Sequence, residues 1–222
     1  MQRHTTRART AAEALSQNLS RSILDGELKP NQQLSEIAVS EKHGVSRNTL
    51  REAFRLLIQD GLLVHYPNRG VFVRSFTPDD LHDLYQYRRV FETACLREIF
   101  SRTDSADRCL AAMRTACEHA STAIAVGDWD DVAIANNRFH LAIFESLENE
   151  LMLHRGQNIL ALSRLVFMTS GQNESVHGPF IKKNQVILSL LEQGKVEEAV
   201  DLLSDYIDGS RDNMEKLLSN RA

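Results

Sequence analysis

A change of texture at Phe76 constrains this chain more than any other feature. Before it, apolar residues mark short elements; after it, they recur at three- and four-residue intervals that only a helical body satisfies. In the first part Ala12, Leu15, Leu19 and Ile23 form one helical stripe, closed by Asp25-Gly26. A second helix is expected from about Leu34 to His43, stopping at Gly44. Ser46 then stands as an N-cap for a third, whose inward stripe is Leu50, Ala53, Phe54, Leu57 and Ile58 and whose end is Asp60-Gly61. The period then shortens. Leu62-Leu63-Val64, the turn Pro67-Asn68-Arg69-Gly70 and Val71-Phe72-Val73 read as a β-hairpin.

Three helices followed by a hairpin make a winged helix-turn-helix pattern, with the helix-turn-helix at about 36–55 and the wing at about 62–74. Thr77-Pro78-Asp79-Asp80 opens the next unit, with Thr as N-cap, Pro at the first helical position and acids in the first turn. Beyond it the spacing predicts six amphipathic helices, at 78–101, 105–126, 129–148, 150–170, 179–193 and 196–218. Their breaks are Asp104, Gly127-Asp128, Asn149, the 171–178 loop and Gly194, with no repeat or strand pattern. The expected fold class is mainly α: a DNA-binding domain over 1–76 and an all-helical effector-binding and dimerisation domain over 77–222.

Charge divides at the same place. Residues 1–76 hold 11 Lys and Arg against 7 Asp and Glu, and residues 77–222 hold 15 against 23, so the net −4 joins a basic head to an acidic body. Only the head suits a polyanion. No apolar run approaches the roughly 20 residues of a membrane span, and no apolar segment follows the basic start, so neither span nor signal peptide is expected. Cys95, Cys109 and Cys117 are odd in number and lack a CxxC pair, which argues against a disulfide framework or zinc knuckle and points to the cytoplasm. They sit in helical stripes and read as buried small apolar groups.

The third predicted helix leaves Arg47, Asn48, Thr49, Arg51, Glu52 and Arg55 off its apolar stripe, the first three in its opening turn. Arginine there can bond guanine O6 and N7 in the major groove, and the hydroxyls of Ser46 and Thr49 suit phosphate. Arg69, between Asn68 and Gly70, makes the wing tip a narrow cationic point able to enter a minor groove.

In the helical half, polar residues interrupt apolar stripes. Arg88 shares a face with Leu84, Phe91 and Cys95; it either pairs locally with Glu92 or points into a cavity to bind a ligand carboxylate. Asn136 and His140 lie on a stripe with Val132, Ile143 and Leu147, as metal-facing groups or hydrogen-bonded core. Asn184 lies with Ile181, Leu188 and Leu191, and Tyr206 with Ala199, Leu202, Leu203 and Ser210, so polar groups from four helices converge. His177 is expected in the loop before the eighth helix, exposed, as a spare metal ligand; Trp129 is expected to anchor a helix start.

Gln33-Leu34-Ser35-Glu36-Ile37-Ala38, the run Gly44 to Ala53, Asp60-Gly61-Leu62-Leu63 and Pro67 to Val73 together resemble the DNA-binding domain of the GntR family of bacterial transcription regulators, over about residues 10–75. The resemblance implies that Arg47 and Arg51 contact DNA, that Ser35 or its neighbours touch backbone, and that Asn68, Arg69 and Gly70 reach the minor groove. Arg88 to Glu92, Asn136 to His140, Ile187 to Gly194 and Glu197-Glu198-Ala199 resemble the FadR-like (FCD) branch of that family, many members of which hold a divalent metal with one Asp and three His. On that likeness His140 matches one histidine, Asn136 stands where Asp is usual, and Asn184 and Tyr206 stand where the other histidines fall. A divalent metal is therefore not required, Asn136 and His140 being its residual ligands.

The expected function is a homodimeric DNA-binding regulator and repressor. It would read a pseudo-palindromic operator and take an organic-acid effector at Arg88, Asn136, His140, Asn184 and Tyr206. A helical domain that only dimerises is the alternative. A metal-dependent hydrolase is a remote one, because His140 has little beside it and no Ser nucleophile motif, P-loop or GxGxxG is present.

Overall fold

The computed structural model describes residues 10–170 and 174–219. The element order is α1 (Ala11–Leu24), β1 (Gln33–Leu34), α2 (Glu36–His43), α3 (Arg47–Gln59), β2 (Leu63–Tyr66), β3 (Gly70–Val73), a 3-10 turn (Pro78–Asp80), then α4 (Leu81–Phe100), α5 (Thr103–Val126), α6 (Trp129–Glu145), α7 (Glu150–Ser170), α8 (Glu174–Glu192) and α9 (Val196–Ser219).

Local chemistry fixes the head. Thr10 and Glu13 form a reciprocal capping box that starts α1. Ser35 caps α2, and Gly44 ends it in the left-handed region at φ 63°. Ser46 caps α3 by accepting from the Thr49 amide, and Leu50, Ala53, Phe54 and Leu57 bury its inner face. The wing is a sheet of order β1-β3-β2, antiparallel throughout, with Leu63 opposite Val73 and Tyr66 opposite Gly70. Two boundaries therefore move from the sequence reading. Leu34 belongs to a third strand, pairing with Val71, rather than to α2, and the wing is not a bare hairpin. Two residues carry too little periodicity to announce a strand; pairing with β3 defines it.

In the body, α5 packs on α6, and α9 packs on both α4 and α8. At Gly156 of α7 a Cβ would fall inside the ring of Phe144, so glycine permits the α6–α7 approach. Trp129 occupies the first position of α6 and packs against Ala120, Ala123 and Ile181, an anchor as expected. The eighth helix starts at Glu174 and carries Pro179 inside it, five residues before the expected start. Proline invites a boundary there because it removes an amide donor. His177 is consequently helical and buried, not an exposed loop residue; residues 171–173 of that expected loop lie outside those described.

The head rests on the body through α1 and α7. Asn158 donates to the Asp60 carbonyl at 3.2 Å, and His154 and Arg155 approach the Asp60 carboxylate. Arg164, buried in α7, reaches the closing turn of α1 at Gly26. Among the described residues no helix is long and apolar enough to cross a membrane.

Candidate functional site

The opening turn of α3 presents Arg47 and Asn48 exposed and Thr49 half-buried, with the Thr49 hydroxyl 2.8 Å from that of Ser46. Arg51 is exposed but held by the Glu36 carboxylate of α2 at 3.1 Å, and Arg55 pairs with Glu52 at 2.9 Å. Arg47 has no such pair among the described residues. An exposed pair contributes about 0–1 kcal/mol, so Arg51 can trade Glu36 for phosphate at small cost.

At the wing tip Asn68 takes φ 62° and Gly70 φ 96°, and the Arg69 amide donates to the Tyr66 carbonyl at 3.0 Å. Gln33 of β1 donates to the Arg69 carbonyl at 2.7 Å. The Arg69 guanidinium lies over Tyr66 and Phe72, 5.6 and 5.7 Å from their centroids, which stiffens it before any partner arrives. Ser35 is exposed at the start of α2 but already caps it. Recognition-helix turn, α2 start and wing tip thus carry all nine residues that the sequence nominates for DNA contact, on exposed or half-buried positions.

The polar residues of the body converge in its core. Arg88 donates to Glu92, whose other oxygen takes the His140 Nδ1 proton at 2.6 Å. Asn136 Oδ1 accepts from Asn184 Nδ2 at 2.7 Å and from the Tyr206 hydroxyl at 3.1 Å. The Tyr206 ring joins the two groups, 5.0 Å from the His140 ring and 5.9 Å from the Arg88 guanidinium. All six side chains are at most 3 % exposed.

Of the two readings left open for Arg88, local pairing with Glu92 is the one found. The guanidinium is not an uncompensated anchor, because its charge is met inside its own helix. Burial alone would raise the Glu92 carboxyl, yet Arg88 and His140 hold it below the usual carboxylate range. Burial lowers His140 against the pull of Glu92, so the ring is neutral, with its proton on Nδ1 and a lone pair on Nε2. Within this network of described residues three buried atoms have no hydrogen-bond partner: Arg88 Nη1, His140 Nε2 and Asn184 Oδ1.

The donor set does not fit the family's metal. His140 Nε2 is one sound ligand, but both lone pairs of Asn136 Oδ1 are taken. Burial pushes the Tyr206 phenol up to about 12, so it remains protonated and donates to Asn136. A structural or catalytic divalent site needs at least three N, S or carboxylate ligands.

Sequence reasoning missed two features. Arg164 is buried within the apolar run of α7, its guanidinium brought by burial down to about 10, and its charge adds to burial in pushing the buried His177 down to about 3. An arginine inside Leu160-Ala161-Leu162-Ser163-Arg164-Leu165-Val166-Phe167 was the available signal. The other is a cavity between α1, α5 and α6, for which no single stretch of sequence carries a signal. The cysteines are buried as expected, and burial pushes the Cys95 and Cys109 thiols up to about 12.

Two family descriptions match the chain: bacterial regulatory proteins of the gntR family over residues 11–73, and the FCD domain over residues 83–209. An uncharacterised HTH-type transcriptional regulator, YdhC, of Bacillus subtilis is 29% identical over 132 residues, which is 59% of this chain and 58% of that protein. The Nta operon transcriptional regulator of Aminobacter aminovorans is 24% identical over 86% of this chain and 88% of its own. Among solved structures, a GntR transcriptional regulator from Rhodococcus sp. RHA1 superimposes with a TM-score of 0.78 at 33% identity, covering 91% of this chain and 96% of that one. Escherichia coli McbR/YncC, at 18% identity and a TM-score of 0.77, shares the fold. The Bacillus, Aminobacter and Rhodococcus proteins are described as transcriptional regulators. The chain joins a winged helix-turn-helix to an all-helical FCD body, and the protein belongs to the GntR family.

Proposed function

We propose that this protein is a sequence-specific, double-stranded-DNA-binding transcription regulator that acts as a homodimeric repressor and is released by a small organic acid. One observation carries the DNA-binding part: Arg47 stands exposed and unpaired, among the described residues, in the first turn of a capped helix whose far side is locked into the head. That is the placement from which a guanidinium reads guanine in the major groove. Two copies related by a two-fold axis would read an inverted repeat. Selection from a random duplex library tests this. Enrichment of an inverted repeat is expected, and enrichment of a lone unrepeated site, or of nothing, overturns it.

The effector part rests on the unpartnered atoms of the polar core. Arg88 Nη1 is a cationic donor, whereas His140 Nε2 and Asn184 Oδ1 are acceptors. A carboxylate that also carries a hydroxyl or ammonium donor satisfies all three, and no metal is required. A body that only dimerises is favoured by a different fact, the neutralisation of Arg88 by Glu92. A thermal-shift panel of hydroxy acids, sugar acids and amino acids separates the two, since a bound acid raises stability by mass action and a purely dimerising body responds to none.

A further inference from the structure

We propose that the seam between α1 of the head and the α5–α6 pair of the body is a second binding site, for a small carboxylic acid with a short apolar body, whose occupancy fixes the head on the bundle. The site is a cavity of about 670 Å³ walled by Arg21 and Leu24 of α1 and its C-cap Asp25, by Thr115 and His119 among others from α5, and by Asn137, Arg138 and Glu145 among others from α6. A second cavity of about 310 Å³ shares Arg21, Leu24 and Leu141 with it and runs on beneath α3 and α7.

Three observations define the ligand. First, Arg21 and Arg138 have no ion pair among the described residues, although most other described arginines of the body are paired. In the head, Arg47 and Arg69 are the other described arginines without an ion pair, and they are the two proposed to meet DNA. Secondly, Arg138 is aimed without being neutralised. Its Nη1 donates to His119 Nδ1 at 3.4 Å, and the His119 Nε2 proton goes to Asp131 at 2.7 Å, so the contact orients the guanidinium through a lone pair. Thirdly, Asn137 is only 8 % exposed, lines the cavity, and its Nδ2 has no partner. An arginine fork fits the two oxygens of a carboxylate, and turning the unpartnered Asn137 amide toward the cavity would add a second donor. Leu24, Ala112, Ala116, Ile134 and Leu141 supply the apolar wall for its body.

The acids at the other end narrow the class. Asp25 and Glu145 line the cavity near Arg21 and would repel a doubly charged phosphate. Burial raises the Glu145 carboxyl, with Arg21 opposing, which softens that end toward a carboxylate. Because one wall is the head and the other the body, the ligand touches both at once, and its binding and the head's position are linked.

Calorimetric titration of the full-length chain with benzoate and with butanoate, two singly charged acids with apolar bodies, tests the site. Saturable binding of one acid per chain is expected. Arg138→Met and the cavity-filling Thr115→Trp should each weaken it at least tenfold without lowering Tm, and the same acid should shift affinity for the selected operator in the parent but not in Thr115→Trp. Failure of both acids to bind overturns the seam site. Binding that survives Arg138→Met and Thr115→Trp but is lost in Asn184→Leu would put the acid in the polar core, overturning the seam while leaving the proposed function standing.

Discussion

Arg47 and Arg88 are the same side chain put to opposite uses by the helices that carry them. In α3 the guanidinium is at the edge of the apolar stripe, in water, and free to bond a base. In α4 it lies on the stripe, is 1 % exposed, and is held by Glu92 one turn on. An exposed charge costs nothing to keep and is available to a partner. A buried one must be compensated from within, and the compensation occupies the groups that a ligand would need. The head is therefore a surface whose chemistry is open, and the body core is a network whose chemistry is nearly closed. Among the described residues of the network around Arg88 and Asn136, Arg88 Nη1, His140 Nε2 and Asn184 Oδ1 remain unused.

The sharpest way to break this contrast is to remove the compensation. Glu92→Gln keeps the shape but leaves the Arg88 charge buried and unmet, and should cost about 3–5 kcal/mol in urea unfolding. Adding Arg88→Met to Glu92→Gln should recover much of that loss, because no unmet charge is then left buried. A Glu92→Gln penalty as small as that of an exposed pair would show that the core network is not closed in the way the contrast requires.

The second effect is acid sensitivity of the body. Burial, with Arg164 adding to it, brings His177 down to about 3, and burial lowers His140 as well. A histidine depressed in the folded state takes up its proton more readily when unfolded. The stability it contributes is complete above its unfolded pKa of about 6.5 and is lost as the pH falls from there toward the folded value. His177 alone should cost about 2 kcal/mol between pH 7 and pH 5, with His140 acting in the same direction. Urea midpoints across that range should fall in the parent, and His177→Gln should flatten the slope; an equal slope in the variant would remove His177 from the account.

On the head, Arg47→Ala should lose about 1–3 kcal/mol of discrimination at one base pair of each half-site. Arg69→Ala, whose guanidinium is braced on Tyr66 and Phe72, should weaken all sequences more evenly. Footprinting on operator point mutants reads both. An Arg47 variant that loses affinity uniformly would mean that Arg47 grips phosphate and that the two arginines differ in exposure but not in role.

The parts of the fold legible in the sequence are those whose cause is local. Caps at Ser35 and Ser46, glycine stops and the stripes of α1 and α3 are spelled out within a few residues. Strand β1 was not legible because its two residues are strands only by pairing with Val71 and Phe72. The start of α8 was misplaced because Pro179 signals a boundary locally, whereas packing of Val176, His177 and Phe180 carries the helix through it. For the site, helical spacing brought Arg88, Asn136, His140, Asn184 and Tyr206 together correctly, since each interrupts an apolar stripe. It did not decide whether Arg88 faced Glu92 or a cavity, because both lie on the same side of α4. The seam cavity was invisible for a stronger reason: its walls come from α1, α5 and α6, and only tertiary docking makes them neighbours.

The smallest expected effect separates two roles carried by one residue of the head. Ser46 accepts the Thr49 amide as the N-cap of α3 and is also exposed where the DNA backbone would pass. Ser46→Ala removes the cap and should cost about 1 kcal/mol of stability. Ser46→Asp keeps a good cap and adds a favourable charge at the helix N-terminus, so it should be at least as stable as the parent in the same urea titration. Placed against phosphate, however, the new carboxylate repels, and operator affinity should fall well below that of Ser46→Ala, most steeply at low salt, where screening is weakest. Stability and affinity would then move in opposite directions at one position, as an open surface allows and a closed core does not. If Ser46→Asp bound operator as well as the parent, the start of α3 would not lie against the backbone, and the assignment of Arg47 to the major groove would fall with it.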